Sequence, residues 1–457
     1  MRLVRRPLRS PATPGQALLL LDERARHYGL PAPAALTGDW FESRAVLVPS
    51  VRVQPVGGIP EAFAVPARLP RIEGAAPGAG DGAVGGGWIG YLGYGLTDPF
   101  ARPSPLPNAA WGWADHVLRL DAGGQWWFEA IVPPGCPDPD DLADDLAAVL
   151  DKVPDVGAAG WTPGRLWRSN ASTHTASVRR CIKAIEAGEL FQANICTRFH
   201  GTFDGAPAEL FAEGTRTLRP RRAAYLAGKW GAIASLSPEL FLARKQDRVW
   251  STPIKGTLPR RGPADDRNAE RLRRSEKDVA ENVMITDLVR NDLGRVSEVG
   301  SVTVPELLAV TEAPGVWHLQ STVESRLAAG IDDSGLLHAT FPPGSVTGAP
   351  KLRALELIAE LEMEARGVYC GAIGLASPIA GLELNVAIRT FELHEAADGG
   401  YAIALGVGGG ITGSSDPELE WQECLHKAAP LEALLARAGA SVEQRYVQKG
   451  AYSAADG

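Results

Sequence analysis

The chain of 457 residues has few cysteines, few lysines and no long apolar run near its start. Its five cysteines form no C-x-x-C pair, which excludes a disulfide framework or a structural zinc site and favours a reducing compartment. The apolar run Ala17–Leu21 stops at Asp22, too short for a signal-peptide core or a membrane span. The chain has 46 lysine and arginine residues against 54 aspartate and glutamate residues, so it lacks the excess of basic residues that is typical of nucleic-acid-binding proteins. We therefore expect a cytoplasmic globular protein with no nucleic-acid or membrane partner.

The chain divides by composition into two main regions and a tail. Residues 1–160 are rich in Pro, Gly and Trp, and their short apolar stretches predict strands and loops rather than long helices. A linker at 154–164 precedes a region at 170–430 in which strands and helices mix without regular alternation, and 431–457 form a tail. This pattern predicts an α+β fold. The predicted strands are 45–51, 88–94, 190–199, 232–242 and 401–411; the predicted helices are 140–150, 175–188, 267–288, 351–365 and 416–429; and 74–87 is predicted as a loop.

Two pairs of acidic residues lie three positions apart on predicted helices. Ser275 and Asp278 form a capping box, whereas Glu281 falls on the apolar stripe that should be buried. A buried carboxylate needs a partner, either an ion pair or a hard cation. Glu420 and Glu423 share one face of the later helix with Lys427, which alone is most simply a solvated face. If the two helices faced each other, the two pairs would form an oxygen cage for magnesium.

Two glycine-containing segments and one lysine are further candidates. Gly406–Ile411 is a strand that ends in glycines, which is either a tight turn or a row of backbone amides exposed to an anion. The segment 343–351 runs from a loop into a helix, a geometry that aims amides at a carboxylate or phosphate. Lys255 precedes a glycine at the end of a short apolar segment and, taken alone, is most simply a surface residue.

Taken together, these segments resemble the chorismate-utilising enzymes. The resemblance covers most of residues 172–428 and follows the order of the family, which implies two packed antiparallel sheets flanked by helices with the site between them. The matching pieces are Ser237-Pro-Glu239, Pro253-Ile-Lys-Gly-Thr257, Ala280-Glu-Asn-Val-Met-Ile-Thr-Asp-Leu-Val-Arg-Asn-Asp292, His318-Leu, Gly344-Ser-Val-Thr-Gly-Ala-Pro-Lys351, Tyr369, Ile388-Arg-Thr390, Gly408–Gly410 and Glu420–Lys427.

Two positions indicate the branch of the family. Relatives that add water place a lysine where this chain has Gln192, and a glutamine cannot accept a proton at neutral pH, so ammonia is the expected nucleophile. Anthranilate synthases usually have a small residue where this chain has Lys255. The branch that makes 4-amino-4-deoxychorismate has a lysine at this position, so the sequence most resembles that branch. The alternatives are synthesis of anthranilate or of 2-amino-2-deoxyisochorismate, or an inactive chorismate-binding homologue.

The resemblance also implies roles for individual residues. Lys255 would attack C2 of the chorismate ring as a nucleophile, Glu239 would protonate the leaving hydroxyl, and His318 would assist as a proton carrier. Glu281 and Glu423, supported by Asp278 and Glu420, would hold Mg²⁺ on the ring carboxylate. The other expected substrate-binding residues are Gln192, Gly256, Thr257, Ser345, Tyr369, Arg389, Gly408, Gly409, Gly410 and Lys427.

The source of ammonia is a separate expectation. None of Cys136, Cys181, Cys196, Cys370 and Cys424 has the glycine-flanked context of a glutaminase nucleophile, so a glutamine amidotransferase subunit is the expected partner. The N-terminal region matches less well: Phe41-Glu-Ser43 resembles part of the family's tryptophan pocket. Where the rest of that pocket is expected, the chain has Arg219-Pro-Arg-Arg-Ala-Ala224. The two arginines at 221 and 222 argue against tryptophan binding.

Overall fold

Two antiparallel sheets packed face to face form the centre of the molecule, in a computed structural model that describes residues 1–73, 82–152, 160–260, 262–397 and 399–437. The helices are α1 (Pro14–Tyr28), α2 (Ile59–Ala64), α3 (Asp140–Asp151), α4 (Ala171–Glu186), α5 (Pro207–Leu218), α6 (Arg267–Arg273), α7 (Glu276–Gly294), α8 (Asp333–Thr340), α9 (Lys351–Leu361) and α10 (Pro417–Leu435).

The strands are β1 (Arg2–Leu8), β2 (Ala34–Trp40), β3 (Ser43–Val48), β4 (Gln54–Pro55), β5 (Gly87–Leu92), β6 (Ala109–Ala114), β7 (His116–Asp121), β8 (Trp126–Val132), β9 (Leu166–Trp167), β10 (Gln192–Phe203) and β11 (Arg222–Gly228). They continue with β12 (Gly231–Ser235), β13 (Leu240–Lys245), β14 (Arg248–Thr252), β15 (Ile254–Pro259), β16 (Thr303–Ala313), β17 (Val316–Arg326), β18 (Gly348–Ala349), β19 (Ala372–Ser377), β20 (Gly381–Val386), β21 (Thr390–Glu395) and β22 (Tyr401–Ile411).

Both sheets take strands from both halves of the chain. The first sheet has the order β1-β8-β7-β3-β2-β11-β12-β21-β22-β10-β18, with β9 beside β10, and the second has the order β15-β17-β14-β13-β20-β19-β5-β6-β4, with β16 beside β17. The N-terminal strand β2 pairs with β11, and β5 pairs with β19, so the sheets continue across the linker predicted at 154–164. The predicted α+β class with two antiparallel sheets is confirmed.

Apolar side chains from the facing sides of the two sheets form one core. Leu36 and Val46 of the first sheet pack in the same buried cluster as Ile89 and Ile373 of the second. The outer faces are covered by helices, because α1 and α5 pack on the first sheet and α7 and α8 on the second. No helix in the described ranges is long and apolar enough to cross a bilayer.

Most predicted elements of the second region are present, with two corrections. Strand 401–411 is β22, and the predicted helix at 416 begins with Asp416 as its N-cap and Pro417 in its first turn. The stretch 232–242 forms β12 and then β13 in the other sheet. The stretch 267–288 is two helices, because the side chain of Ser275 accepts a hydrogen bond from the amide of Asp278 and starts α7 anew.

The expectation that residues 1–150 contain no long helix besides 140–150 is wrong, because α1 spans 15 residues. Thr13 and Gln16 form a reciprocal capping box, Pro14 occupies the first turn, and Gly29 closes the helix in the left-handed region at φ 64°. These signals flank the run Ala17–Leu21, which packs into the core below the first sheet. Of the predicted loop at 74–87, residues 74–81 lie outside the described residues, as do 153–159 of the predicted linker.

Candidate active site

The glycine-rich end of β22 forms the floor of the candidate site. Strand β10 accompanies β22 along its whole length, from Phe203↔Tyr401 to Ala193↔Ile411, whereas β21 pairs with it only as far as Leu405. Beyond Leu405, β10 is therefore the only described strand that pairs with β22, and the backbone there has an edge without a strand partner. Gly408, Gly409 and Gly410 lie on this segment, as expected for amides that face an anion.

Three side chains from three different elements converge on Gly410. A Cβ placed on this glycine would lie 2.3 Å from Nε2 of Gln192, 3.0 Å from Oε2 of Glu281 and 3.2 Å from Nζ of Lys255. Any side chain at this position would therefore displace the amide, the carboxylate and the amine. Gln192 is fully buried and its Oε1 has no hydrogen-bond partner in the described residues, so an acceptor faces the same space. Lys255 is therefore half-buried, with its amine directed at the glycine strand and not at open solvent.

Glu239 lies beside the strand that carries Lys255. Its Oε1 accepts a hydrogen bond of 3.4 Å from the amide of Ile254, and the hydroxyl of Ser345 also donates to it. Burial raises the pKa of Glu239 to about 7, against the opposing effects of Ser345 and the charge of Lys255. A carboxyl group with this pKa is protonated in about half of the molecules at pH 7, and a general acid needs such a proton.

His318 faces Thr257 on the neighbouring strand. Its Nδ1 lies 2.9 Å from Oγ1 of Thr257, while its Nε2 is buried without a hydrogen-bond partner among the described residues. Burial, together with the charges of Arg389 and Arg221, lowers the pKa of His318 to about 3. The imidazole is therefore neutral at physiological pH, where it is a weak base that can take part in hydrogen bonds.

Arg389 lies near Glu239 and His318, and Tyr369 packs against the glycine strand. Arg389 has a positive φ of 51°, and its charge lowers the pKa values of both Glu239 and His318. Burial lowers the pKa of Arg389, and the nearby carboxyl group of Glu239 opposes this effect. The ring of Tyr369 packs against Gly406, where a Cβ would approach the ring to 2.2 Å, and its hydroxyl lies 3.8 Å from Sγ of Cys196.

The orientation of the segment that carries Tyr369 depends on a buried ion pair that the sequence analysis did not single out. The guanidinium of Arg366 donates 2.7 and 2.9 Å hydrogen bonds to Glu362, and further bonds to the carbonyls of Asn194 and Val346. Both partners are buried, so the pair fixes residues 362–369 against β10. The i, i+4 spacing was visible in the sequence, but nothing there distinguished it from a surface pair.

Carboxylates from α7 and α10 meet above Gly409 and Gly410. A Cβ on Gly409 would lie 3.1 Å from Oε2 of Glu420 and 3.6 Å from Oε1 of Glu423, while Glu281 approaches the neighbouring Gly410. The two helices therefore face each other, which is the condition that the sequence analysis set for a cage. Burial raises the pKa of Glu281, and the charges of Glu423 and Glu420 raise it further, whereas Lys427 and its neighbours hold the pKa of Glu423 below its usual value.

Two lysines neutralise this group of carboxylates. Nζ of Lys427 lies 2.8 Å from Glu423 and donates to the carbonyl of Gly408 at 2.7 Å. Nζ of Lys277 lies 2.8 Å from Oε1 of Glu420 and 3.9 Å from Oε1 of Glu281, so it bridges the two helices. Lys277 was not among the predicted site residues, although its place four residues before Glu281 and the scarcity of lysines were visible in the sequence.

Asp278 contacts strand β15. Its side chain packs against Gly256, where a Cβ would approach Asp278 atoms to 3.0 Å at a φ of 95°. Gly256 thus allows α7 to approach β15 closely. The supporting role of Asp278 at the metal stays a prediction; in the structure its side chain contacts the strand that carries Lys255 and Thr257.

The carboxylates of this group are suitable ligands for a hard cation, although in the present arrangement of their side chains they do not surround a binding position. Within the described ranges, no three carboxylate, imidazole or thiol groups converge closely enough to hold an ion. However, Oε2 of Glu420 is buried without a hydrogen-bond partner, and Glu420 is only 2% exposed. Carboxylate oxygens from Glu281, Glu420 and Glu423 are the donors that Mg²⁺ prefers, and a substrate carboxylate and water can complete its shell.

The arginines in the region of the expected tryptophan pocket are bound to carboxylates. Arg222 pairs with Glu383 and lies 3.7 Å from Asp39, while Arg221 pairs with Asp39 at 3.2 Å. The guanidinium of Arg222 also lies 5.5 Å from the ring centre of Trp40, which is fully buried. An indole of the protein and an ion pair thus occupy the space next to Phe41.

We expect L-tryptophan at millimolar concentration not to bind, because a free indole would have to displace the pair of Arg222 and Glu383. Isothermal titration calorimetry and the midpoint of thermal unfolding check this. A saturable heat signal, or a midpoint that rises with tryptophan concentration, would contradict it.

Comparison with known proteins gives a consistent result. The sequence profile described as chorismate binding enzyme matches residues 61–433. Aminodeoxychorismate synthase component 1 of Salmonella typhimurium is 37% identical over 356 residues, which are 75% of this chain and 75% of that protein. Its counterpart in Klebsiella aerogenes is 41% identical over 353 residues, with the same coverage of both chains. Anthranilate synthase component 1 of Streptomyces coelicolor is 35% identical over 422 residues, 86% of this chain and 80% of that protein.

Solved structures show the same fold. Anthranilate synthase component I of Streptococcus pneumoniae superposes with a TM-score of 0.68 at 24% identity, covering 94% of this chain and 92% of that chain. The menaquinone-specific isochorismate synthase of Escherichia coli superposes with a TM-score of 0.71 at 20% identity, covering 95% and 94%. At these identities the likeness concerns the fold alone.

Proposed function

Because this chain belongs to the family of chorismate-binding enzymes, we propose that it converts chorismate and ammonia into 4-amino-4-deoxychorismate, the activity named for its aminodeoxychorismate synthase relatives. The observation that carries this proposal is the position of Lys255. Its amine reaches the space beside Gly410, near Gln192 and Glu281, and the amide of the preceding residue, Ile254, donates a hydrogen bond to Glu239. A nucleophile and an acid with a raised pKa thus lie next to each other in one site.

We assign two successive displacements on the chorismate ring to Lys255 and Glu239, which both lie in the catalytic region predicted at residues 170–430. The neutral amine of Lys255 bonds to C2 of the ring, the two double bonds shift, and the C4–O bond breaks as Glu239 gives its proton to the leaving hydroxyl, which departs as water. Ammonia then bonds to C4, the double bonds shift back, and the C2–N bond to Lys255 breaks. Protons lost by the two nitrogen nucleophiles return to the carboxylate of Glu239 and to the departing lysine.

Other residues of the site bind and orient the substrate in this proposal. Arg389 and the amides of Gly408–Gly410 take the enolpyruvyl carboxylate, with Tyr369 packed behind that strand. The neutral imidazole of His318, held by Thr257, offers a hydrogen bond to the substrate. Gln192 cannot act as a base for water, which favours an amine product over a hydroxylated one. The remaining contacts assigned to substrate binding are Gly256, Ser345 and Lys427.

Magnesium held by Glu281, Glu420 and Glu423 would neutralise the ring carboxylate and polarise the ring toward attack. The ammonia is assigned to a separate glutamine amidotransferase subunit, as the name component 1 of the relatives suggests. The product then serves either p-aminobenzoate and folate synthesis or secondary metabolism.

The assigned metal ligands give a direct prediction. Glu281→Ala and Glu423→Ala should each weaken Mg²⁺ binding at least tenfold, because each removes a carboxylate from a small ligand set. Glu418→Ala is the matched control, since Glu418 lies on the same helix but is exposed and pairs with Arg179. Calorimetric titration with Mg²⁺ in the presence of chorismate measures the affinity. If it is unchanged in both variants, the two glutamates are structural.

A coupled assay tests the proposed function. The protein is incubated with chorismate, Mg²⁺ and ammonium, and the product is given to an aminodeoxychorismate lyase. The proposal requires that p-aminobenzoate forms only when the lyase is present. Formation of fluorescent anthranilate without the lyase would replace the proposal by its nearest alternative, and no turnover of chorismate would favour an inactive binding homologue.

A further inference from the structure

Lys277 occupies an unusual position for a cation. It is the second residue of α7, where the unpaired amides and the helix dipole disfavour positive charge. It also precedes Glu281 by four residues, the less favourable order for an ion pair within a helix. What holds it is a residue of the opposite helix, Glu420, at 2.8 Å.

The partner oxygen does not depend on Lys277 alone. Oε1 of Glu420 also accepts a hydrogen bond of 2.7 Å from the hydroxyl of Ser415, so it keeps a partner when the lysine leaves. Oε2 of Glu420 is buried without a partner in the described residues and faces Gly409, next to the carboxylate of Glu423. A second ligand atom therefore already points into the space between the helices.

Lys277 can leave this space at low cost. Its side chain is 41% exposed, whereas those of Glu281 and Glu420 are 9% and 3% exposed. A flexible four-carbon stem that starts at the rim can turn its ammonium group into water, but the two buried carboxylates cannot follow it. After such a movement, the carboxylates would be left facing each other and would need another cation.

We infer that Lys277 is an internal counter-ion that Mg²⁺ must displace, so that binding of the dication exchanges the lysine out of the space between Glu281 and Glu420. The inference rests on the metal assignment of the proposed function. Replacing the ammonium group of Lys277 by a dication raises the charge of the site by one unit, which favours binding of the carboxylate of a substrate. Lys277 thereby acts as a positioning residue that couples metal binding to substrate binding.

Binding of the metal alone tests the exchange. Lys277→Met keeps an apolar side chain of similar length but removes the competing charge, and Lys229→Met at an exposed position is the matched control. Titration with Mn²⁺, followed by electron paramagnetic resonance without substrate, should show at least tenfold tighter binding to Lys277→Met than to the wild type and the control. Equal or weaker binding to Lys277→Met would overturn the exchange.

A second measurement uses the unmodified protein. Brief acylation with acetic anhydride, read out by peptide mass spectrometry, should label Lys277 several-fold faster in saturating Mg²⁺ than in sodium chloride of equal ionic strength, while Lys229 is unchanged. An unchanged labelling rate at Lys277 with Mg²⁺ bound would overturn the inference and leave the metal assignment standing. If neither the wild type nor Lys277→Met binds Mn²⁺, both the exchange and the metal assignment fail. A different reaction product would leave the exchange intact.

Discussion

Lys255→Ala should lower kcat/KM for chorismate with ammonium on the order of 10³-fold or more, because the first bond to the ring is made by this amine. The residue stands beside Gln192 and Glu281 in a space that Gly410 keeps clear of side-chain atoms. Loss of the amine leaves the carboxylate cage and the glycine strand in place, so chorismate should still bind. We expect the effect to fall on kcat rather than on KM.

The control for Lys255→Ala is Lys229→Ala, which removes an exposed lysine. The test measures steady-state rates of both variants at low ammonium. Far-ultraviolet circular dichroism and the midpoint of thermal unfolding show whether each variant is folded. Turnover of a folded Lys255→Ala protein at the wild-type rate would mean that ammonia displaces the hydroxyl directly, and the covalent step would have to be abandoned.

Glu239→Gln should lower kcat by about 10²- to 10⁴-fold, the usual contribution of a general acid. With its pKa raised to about 7 by burial, Glu239 carries its proton below that pH and loses it above. The wild-type rate should therefore fall as the pH rises through about 7. In the glutamine variant this fall should disappear, because the residual rate does not depend on a proton at this position. A fall of the same size in the variant would assign the acid to another residue.

The same substitution should raise stability at alkaline pH. The pKa of Glu239 in the folded state lies above its ordinary value of 4.5, so the folded protein binds this proton more tightly than the unfolded chain. Stability from this source is present below pH 4.5 and is lost as the pH rises through about 7. At about 1.4 kcal/mol per pH unit, the loss amounts to roughly 3 kcal/mol. Urea unfolding near pH 5 and near pH 8 should show that Glu239→Gln escapes this loss, whereas an equal pH dependence in both proteins would contradict the raised pKa.

Local signals in the sequence predicted many elements because capping and turn chemistry act over a few residues. Asp416 and Pro417 determine the start of α10, and the alternation of 401–411 marks β22. Helix α1 was missed because a Pro- and Gly-rich composition suggested loops, although the capping box of Thr13 and Gln16 was present. The division of 232–242 between two sheets was not predictable, since it depends on the long-range partners β21 and β20.

The candidate site shows the same division between local and distant information. The spacing of Glu281 from Asp278, and of Glu423 from Glu420, predicts that each pair lies on one face of its helix. Only the tertiary fold brings the faces of α7 and α10 together above Gly409. The role of Lys277 depends on Glu420, which lies 143 residues away, so no local pattern could distinguish it from a solvated lysine. The neutral state of His318 likewise follows from burial and from Arg389, both of which require the folded structure.

The position of the new nitrogen in the product tests the account most directly. The protein is incubated with chorismate, Mg²⁺ and nitrogen-15-labelled ammonium, and the product is examined by nuclear magnetic resonance before any lyase is added. The account predicts nitrogen bonded to C4 of a ring that keeps its enolpyruvyl group. Nitrogen bonded to C2, in 2-amino-2-deoxyisochorismate or in anthranilate, would contradict it.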